Sequence, residues 1–297
     1  MTDYHLHLYP HRRGESAPPP PDDYPLAHIE QFVATAASAG VQEVAFTEHF
    51  YRCVESTAAL GPFWEQAENA TTRGHTEADV RADRTMSLER YVEAILRAKD
   101  AGLPVLLGLE VDFIPGTVEA VLDVIEPYPF DVLIGSVHWI DGWWFDRKHS
   151  IDEWERRGHR RVYEQFFALE TELADSGTVD VLAHVDRVKY QGQRLAEPPL
   201  DLYGALVKAA RRTDVAIELS SAGLRHPIAE VYPAPPLLEM CRTADLAITF
   251  ASDGHFPDQA GWGHDDLRRI ALGAGYTHTA RYRARRRHLE PIVPSPS

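Results

Sequence analysis

Cysteine is almost missing from this chain, with only Cys53 and Cys241 in 297 residues. Neither lies in a CxxC pair and two cannot build a disulfide framework, so two reduced thiols in a cytoplasmic protein are expected. Positive charge is also scarce: 30 Lys+Arg stand against 45 Asp+Glu, a net charge of −15. A chain so acidic, with no basic stripe, repels a nucleic-acid backbone, and no nucleic-acid partner is expected. A small phosphorylated substrate stays open provided that metal ions neutralise it locally. No run approaches the ~20 apolar residues of a membrane span. The opening residues lack the apolar core of a secretory signal, so neither a membrane partner nor export is expected. Oligomeric state leaves no mark that can be read.

What the chain does have is rhythm. Seven short apolar runs, at 3–8, 41–46, 105–111, 132–137, 179–183, 215–219 and 246–250, are each bounded by turn residues. Most are continuously hydrophobic rather than alternating, which suits strands covered on both faces. Between them, segments 26–39, 88–101, 118–125, 154–174, 200–212 and 266–272 carry apolar residues at helical spacing. Seven β/α units in a chain of this length point to one α/β domain spanning 1–297, a TIM-like barrel of seven strands, with an open doubly wound sheet as the alternative. Two stretches break the rhythm. The proline tract 18–21 with Pro25 reads as a stiff loop after the first strand. Residues 51–86 are polar and long for a connection, and Phe63 and Trp64 within them favour a lid that packs against the body over a plain surface excursion.

The ionisable residues gather at the strand ends. His5 and His7 sit two apart on the first strand, so both project to one side and can share a metal. Later strands end in Glu48-His49, Glu110, His138, His184 with Asp186 behind it, and Asp253-x-His255, while the sixth ends at Glu218. In a parallel barrel these ends open on one face. Any one of these histidines is unremarked alone. Together they form a set of His and carboxylate donors suited to Zn, Fe or Mn. His28, His75, His149, His159, His264, His278 and His288 lie outside this pattern and read as solvated.

The segments Asp3-Tyr4-His5-Leu6-His7, Thr47-Glu48-His49, Gly108-Leu109-Glu110, Gly135-Ser136-Val137-His138, Ala183-His184-Val185-Asp186 and Ser252-Asp253-Gly254-His255 resemble, in order, the motifs of the PHP (polymerase and histidinol phosphatase) superfamily. Within it, residues 108–112, 136–143 and 221–225 and the Arg-rich stretch 281–288 resemble histidinol-phosphate phosphatases most. The resemblance implies a distorted (β/α)7 barrel holding two to three divalent metal ions. It implies that His5, His7, Glu110 and Asp253 hold one, that Glu110 bridges to a second on His138 and His184, and that His49 and His255 hold a third. The family's remaining ligand to that third ion falls on Arg13 here, so His11 is the candidate in its place and Glu15 the reserve.

A hydroxide bridging two metals would then attack phosphorus, with Asp253 or a water it orients protonating the leaving oxygen. Catalytic roles fall to Asp253, Glu110 and His255. Arg225 would bind phosphate through its fork, Lys189 would act as a point charge, and Trp139, with Trp143 and Trp64, would wall an imidazole. The 281–287 arginines read as a solvated face. The implied reaction is hydrolysis of L-histidinol phosphate. Alternatives are another small phosphorylated metabolite at the same site, an amidohydrolase, against which stands the lack of a bridging lysine, and a non-catalytic PHP-like module.

Overall fold

The computed structural model describes residues 1–11, 24–147 and 150–293. Glu15, the proline tract 18–21 and His149 lie outside them. Four parallel strands come first: β1 (Thr2–Leu6), β2 (Glu43–Phe46), β3 (Val105–Asp112) and β4 (Val132–Ser136). A short antiparallel pair, β5 (Trp139–Ile140) and β6 (Trp143–Trp144), follows outside the main sheet. Then β7 (Val181–Leu182), β8 (Ala216–Ser220) and β9 (Ile248–Ala251) complete a seven-stranded sheet ordered β1-β2-β3-β4-β7-β8-β9. Each expected run supplies one strand, and β3 is buried along all eight residues, its Glu110 and Asp112 included, as its largely apolar sequence anticipates.

The sheet curls nearly shut. Leu6 bridges Gly254 in parallel, and His7 N–H donates to the Gly254 carbonyl at 2.8 Å. Asp3 staples the seam: its carboxylate accepts from Ser252 N (2.9 Å), Ser252 Oγ (2.6 Å) and Gly261 N (2.8 Å). The result is a distorted TIM-like barrel.

Helices cover the outside: α1 (Leu26–Ser38), α2 (Ser56–Leu60), α3 (Ala70–Asp83), α4 (Leu88–Asp100), α5 (Val118–Ile125), α6 (Ile151–Arg157), α7 (His159–Ser176), α8 (Leu200–Thr213), α9 (Pro235–Thr243) and α10 (His264–Gly273). Helix α4 shows why such segments form. Ser87 caps it by accepting from Arg90 N, Glu89 lies in the first turn, and Arg97 and Lys99 sit in the last. Leu88, Tyr91, Val92, Ile95 and Ala98 form the buried stripe, and a fully buried side chain of the Leu, Ile or Val kind contributes about 1.5–3 kcal/mol. The single helix expected over 154–174 is two, because Gly158 at φ 83° breaks it.

The insertion 51–86 is mostly helical rather than loop. Asn69 caps α3 by accepting from Thr71 N and Thr72 N. Its polar composition hid the helix because only Thr76, Val80 and Asp83 of α3 are buried. Phe63 is buried against Trp139, ring centroids 4.8 Å apart.

Beneath the barrel, β10 (His278–Arg283) and β11 (Arg286–Pro291) form a hairpin. Ala280 and Tyr282 join Tyr4, Ala45, Leu106, Val132, Ile134, Val181, Ala183 and Ala216 as the interior plug. The arginine run, expected as a solvated face, is a clasp: Arg281 and Arg283 pair with Glu43, Arg285 with Asp180 and Arg287 with Asp214. Two histidines also depart from the solvated expectation. His264 is buried, and His28 Nε2 donates to the Leu8 carbonyl at 2.7 Å.

Candidate metal centre

Parallel strands aim their C-terminal ends the same way, so His5, His7, His49, Glu110, His138, His184, Asp253 and His255 meet at one mouth. On β1 this takes an irregularity. Tyr4 faces the interior plug and His5, its neighbour, faces the site, although simple alternation sends adjacent residues to opposite faces. The β1–β2 register shifts between Asp3 and Leu6, which re-aims the strand between them.

Glu110 stands at the centre, fully buried. Its Oε2 lies 3.2 Å from His5 Nε2, 3.4 Å from His7 Nε2 and 2.7 Å from His49 Nδ1. Its Oε1 lies 3.6 Å from His138 Nε2 and 3.3 Å from His184 Nε2. One carboxylate thus faces two sets of imidazoles with separate oxygens, the arrangement of a bridging ligand. Asp253 Oδ1 lies 3.6 Å from His5 Nε2 and 3.5 Å from His7 Nε2. Among the described residues, four trios bring donor atoms within 4.8 Å of one another: His5-His7-Glu110, His5-His184-Asp253, His49-Glu110-His138 and His7-His49-His255. His49, assigned from the sequence to the third position with His255 and His11, therefore also borders the Glu110 and His138 position.

The donors are prepared for cations from behind. His5 Nδ1 is 2.8 Å from Glu218 Oε2 and His138 Nδ1 is 2.9 Å from Asp112 Oδ1, which leaves each Nε2 facing inward. Glu218 Oε1 also accepts from the His184 backbone N–H. His49 Nε2, Glu110 Oε1 and His255 Nε2 are buried without a hydrogen-bond partner. His5 Nε2 and His7 Nε2 face each other at 3.1 Å. Orphaned lone pairs packed this closely fit divalent cations of the kind His and carboxylate donors prefer.

The electrostatics agree. Burial alone would depress the His5 ring, yet the carboxylates of Glu218, Glu110 and Asp253 hold its pKa well above the usual histidine range. Against the same desolvation, Glu110 and Asp112 push His49 up to about 9. The carboxylates at the centre thus attract positive charge, while burial, with the rings of His7 and His11 adding to it, pushes His255 well below the usual range. His184 and Asp253 hold left-handed backbone, φ 29° and 49°, a strain that non-glycine residues adopt where the fold over-determines them, commonly at functional sites.

Residues 26–222 match the family model for the PHP domain. The chain belongs to the PHP family. A curated relative from Deinococcus radiodurans, named "Probable histidinol-phosphatase", is 34% identical over 193 residues, covering 65% of this chain and 74% of the relative. A crystal structure of histidinol phosphate phosphatase from Lactococcus lactis, complexed with zinc, L-histidinol and phosphate, superposes with a TM-score of 0.69 at 17% identity, covering 97% of this chain and 98% of that one. A second solved structure, from Listeria monocytogenes, gives 0.64 at 16% identity, with 90% and 99% covered. The family match stops short of both ends, so in this PHP chain His5, His7, Asp253 and His255 are joined to the rest by the barrel alone.

Around the PHP cluster, His11 reaches the rim. Its ring centroid lies 5.0 Å from that of His49 and 4.9 Å from that of His255. Arg225 donates to the Ser252 and Asp253 carbonyls, and its Nη1 has no hydrogen-bond partner. Lys189 is corrected: its ammonium is turned onto Asp186 (2.8 Å), Glu230 (2.8 Å) and the Val231 carbonyl (2.9 Å), which pulls it into a buried ion cluster. The cation beside the site is Arg187, two residues earlier, with Nη1 3.2 Å from Asp253 Oδ2 and Nε 2.7 Å from Asp146 Oδ2. Spacing after His184 could not choose between them, since Arg187 to Lys189 form a tight helical turn. Trp139 is corrected too. It is 2% exposed and packs between Phe63, Tyr51 and Trp144, so it supports the mouth instead of lining it. Trp143 and Trp64 are buried likewise.

Proposed function

We propose that this PHP-family protein is a metal-dependent phosphomonoesterase that converts L-histidinol phosphate to L-histidinol and phosphate. The observation that carries the reading is Glu110, whose two oxygens face two separate sets of imidazoles. The names of the Deinococcus and Lactococcus relatives support the substrate. In this reading His5, His7, His11, His49, Glu110, His138, His184, Asp253 and His255 hold two to three divalent ions, Zn, Fe or Mn. When bound, such ions neutralise the phosphate dianion and lower the pKa of attacking water.

The chain's own residues do the positioning. Arg225, with Nη1 unengaged, offers a donor to a phosphate oxygen, and Arg187 adds a second guanidinium on Asp253 Oδ2. Asp253 has Oδ2 on Arg187 and Oδ1 on the imidazoles, so it orients a water toward the leaving oxygen rather than donating its own proton. His255 stands at the rim with Nε2 unpaired, placed to ligate or to pass a proton. The net charge of −15 disfavours large polyanions and leaves small phosphate esters.

The test is phosphate release by the zinc-, iron- or manganese-loaded protein from L-histidinol phosphate beside nucleotides and sugar phosphates, scored as kcat/KM. A strong preference for histidinol phosphate is expected. A second reading, another small phosphorylated metabolite, draws on the insertion packed against the mouth through Phe63 and Tyr51. Selective turnover of a different ester would favour it.

A further inference from the structure

His11 lies outside every strand of the barrel, so the sheet alone does not place it. What holds it comes from the insertion. Arg52, fully buried, donates from Nη1 to the Tyr9 carbonyl (3.0 Å) and from Nη2 to the Pro10 carbonyl (3.2 Å). The same Nη1 pairs with Glu48 Oε2 at 3.2 Å, while Glu48 Oε1 accepts from Leu8 N at 2.6 Å. The main chain just before His11 is therefore gripped at three successive residues.

The ring is held separately. His11 Nδ1 lies 2.7 Å from Asp83 Oδ2, and Tyr51 Oη donates to that same oxygen at 2.7 Å. Asp83 is the last residue of α3 and 1% exposed. A carboxylate buried this deeply is costly unless charged or polar partners face it. Tyr51 and Arg52 open the insertion and Asp83 stands near its end, and a bridge between Cys53 and Met86 draws the two ends together. Two backbone bonds close that base, Met86 N to the Arg52 carbonyl (3.1 Å) and Val54 N to the Met86 carbonyl (2.8 Å). Tyr51 N also donates to Asp112 Oδ2, the carboxylate that orients His138. With Nδ1 on Asp83, Nε2 is the ring nitrogen His11 has left, and the ring lies beside those of His49 and His255.

We propose that the base of the 51–86 insertion is a bracket for a metal ligand: Arg52 and Glu48 set the backbone, Asp83 sets the ring, and His11 so held completes a third cation position with His49 and His255. Asp83 is a positioning residue in this scheme. The inference rests on the multinuclear metal reading above, and it makes cation binding and order at the insertion's base thermodynamically linked.

The experiment measures zinc per chain, and zinc affinity by chelator competition, in wild type, Asp83→Asn, His11→Ala and the double variant. Asp83→Asn is expected to weaken one zinc by ~10- to 100-fold, the usual effect of losing a partner behind a ligating histidine. His11→Ala is expected to weaken the same zinc at least as much, and the double variant to resemble His11→Ala alone. Wild-type stoichiometry and affinity in Asp83→Asn, or losses that add in the double variant, would overturn the bracket. Fewer than two zinc ions in wild type would instead overturn the multinuclear reading beneath it. Should Asp83→Asn not fold, hydrogen exchange on the wild-type chain decides: chelation is expected to speed amide exchange at 51–54 and 80–83, and unchanged exchange there sinks the linkage.

Discussion

Glu110 shows how much one side chain can settle. A carboxylate in a continuous apolar strand is costly to bury, and what offsets that here is a ring of imidazoles on each oxygen. Glu110→Gln keeps the shape and removes the charge. It is expected to abolish measurable turnover and to release at least one metal equivalent, read by metal analysis beside kinetics; near-normal rates would count against a bridging role. Arg225→Ala should raise KM for the phosphate ester by ~10- to 100-fold, as expected for losing a charge-assisted hydrogen bond. An unchanged KM would return Arg225 to a purely structural contact with the β9 end.

Glu170 makes a different point, because nothing in the mechanism uses it. It is buried in α7 with neither oxygen hydrogen-bonded, and burial, with Asp186 adding to it, pushes its pKa well above the ordinary carboxylate range. The folded chain keeps this proton where the unfolded chain, with its glutamate near pKa ~4.3, has released it. Stability from this residue is therefore whole below that range and falls as pH rises toward the folded value. Glu170→Gln is expected to melt higher than the parent by a margin that grows from pH 4 to pH 8. A margin that stays constant with pH would disprove the assignment.

At the scale of elements, the turn at 222–225 after β8 shows how packing aims a functional residue. A Cβ on Gly223 would sit 1.9 Å from the Glu230 carbonyl oxygen, so only glycine lets this turn lie against the 230 segment. Gly223→Ala is expected to cost about 1–3 kcal/mol as an overpacked site and to raise KM by displacing Arg225, while metal content stays at the wild-type level. Loss of metal instead would mean that the turn supports the cluster as well. The insertion illustrates what local patterning misses. Helix α3 buries few residues along one edge, so its periodicity is faint, yet its last residue reaches His11 across 72 positions of sequence.

For the whole molecule, the barrel gathers donors from both chain ends and the Asp3 staple closes the seam between them. Metal binding and global stability are then coupled. Each cation held only by the folded chain adds about 2.7 kcal/mol when its free concentration is a hundredfold above Kd. Chelation should lower the melting temperature, and re-addition of zinc should restore it in a concentration-dependent way. A melting temperature indifferent to both would contradict cation binding at the cluster.

The sequence by itself determined the seven barrel strands, the single barrel and most of the His and carboxylate cluster at its mouth. Continuous apolar runs bury on both faces, and a histidine or carboxylate at the end of such a run has little choice but the barrel mouth. His5, His7, Glu110, His138, His184, Asp253 and His255 were legible for that reason. Tertiary structure alone decided which cation faces Asp253, Arg187 and not Lys189, because the two lie in one turn and only its docking against Asp146 and Glu230 separates them. It decided that Trp139 packs among Tyr51, Phe63 and Trp144 and supports the mouth, and that the arginines of the C-terminal hairpin clasp the barrel's underside. It also decided that His11 is steadied by Arg52 and Asp83. Such contacts join residues far apart in the chain, and their partners are set by how elements pack, which no local pattern encodes.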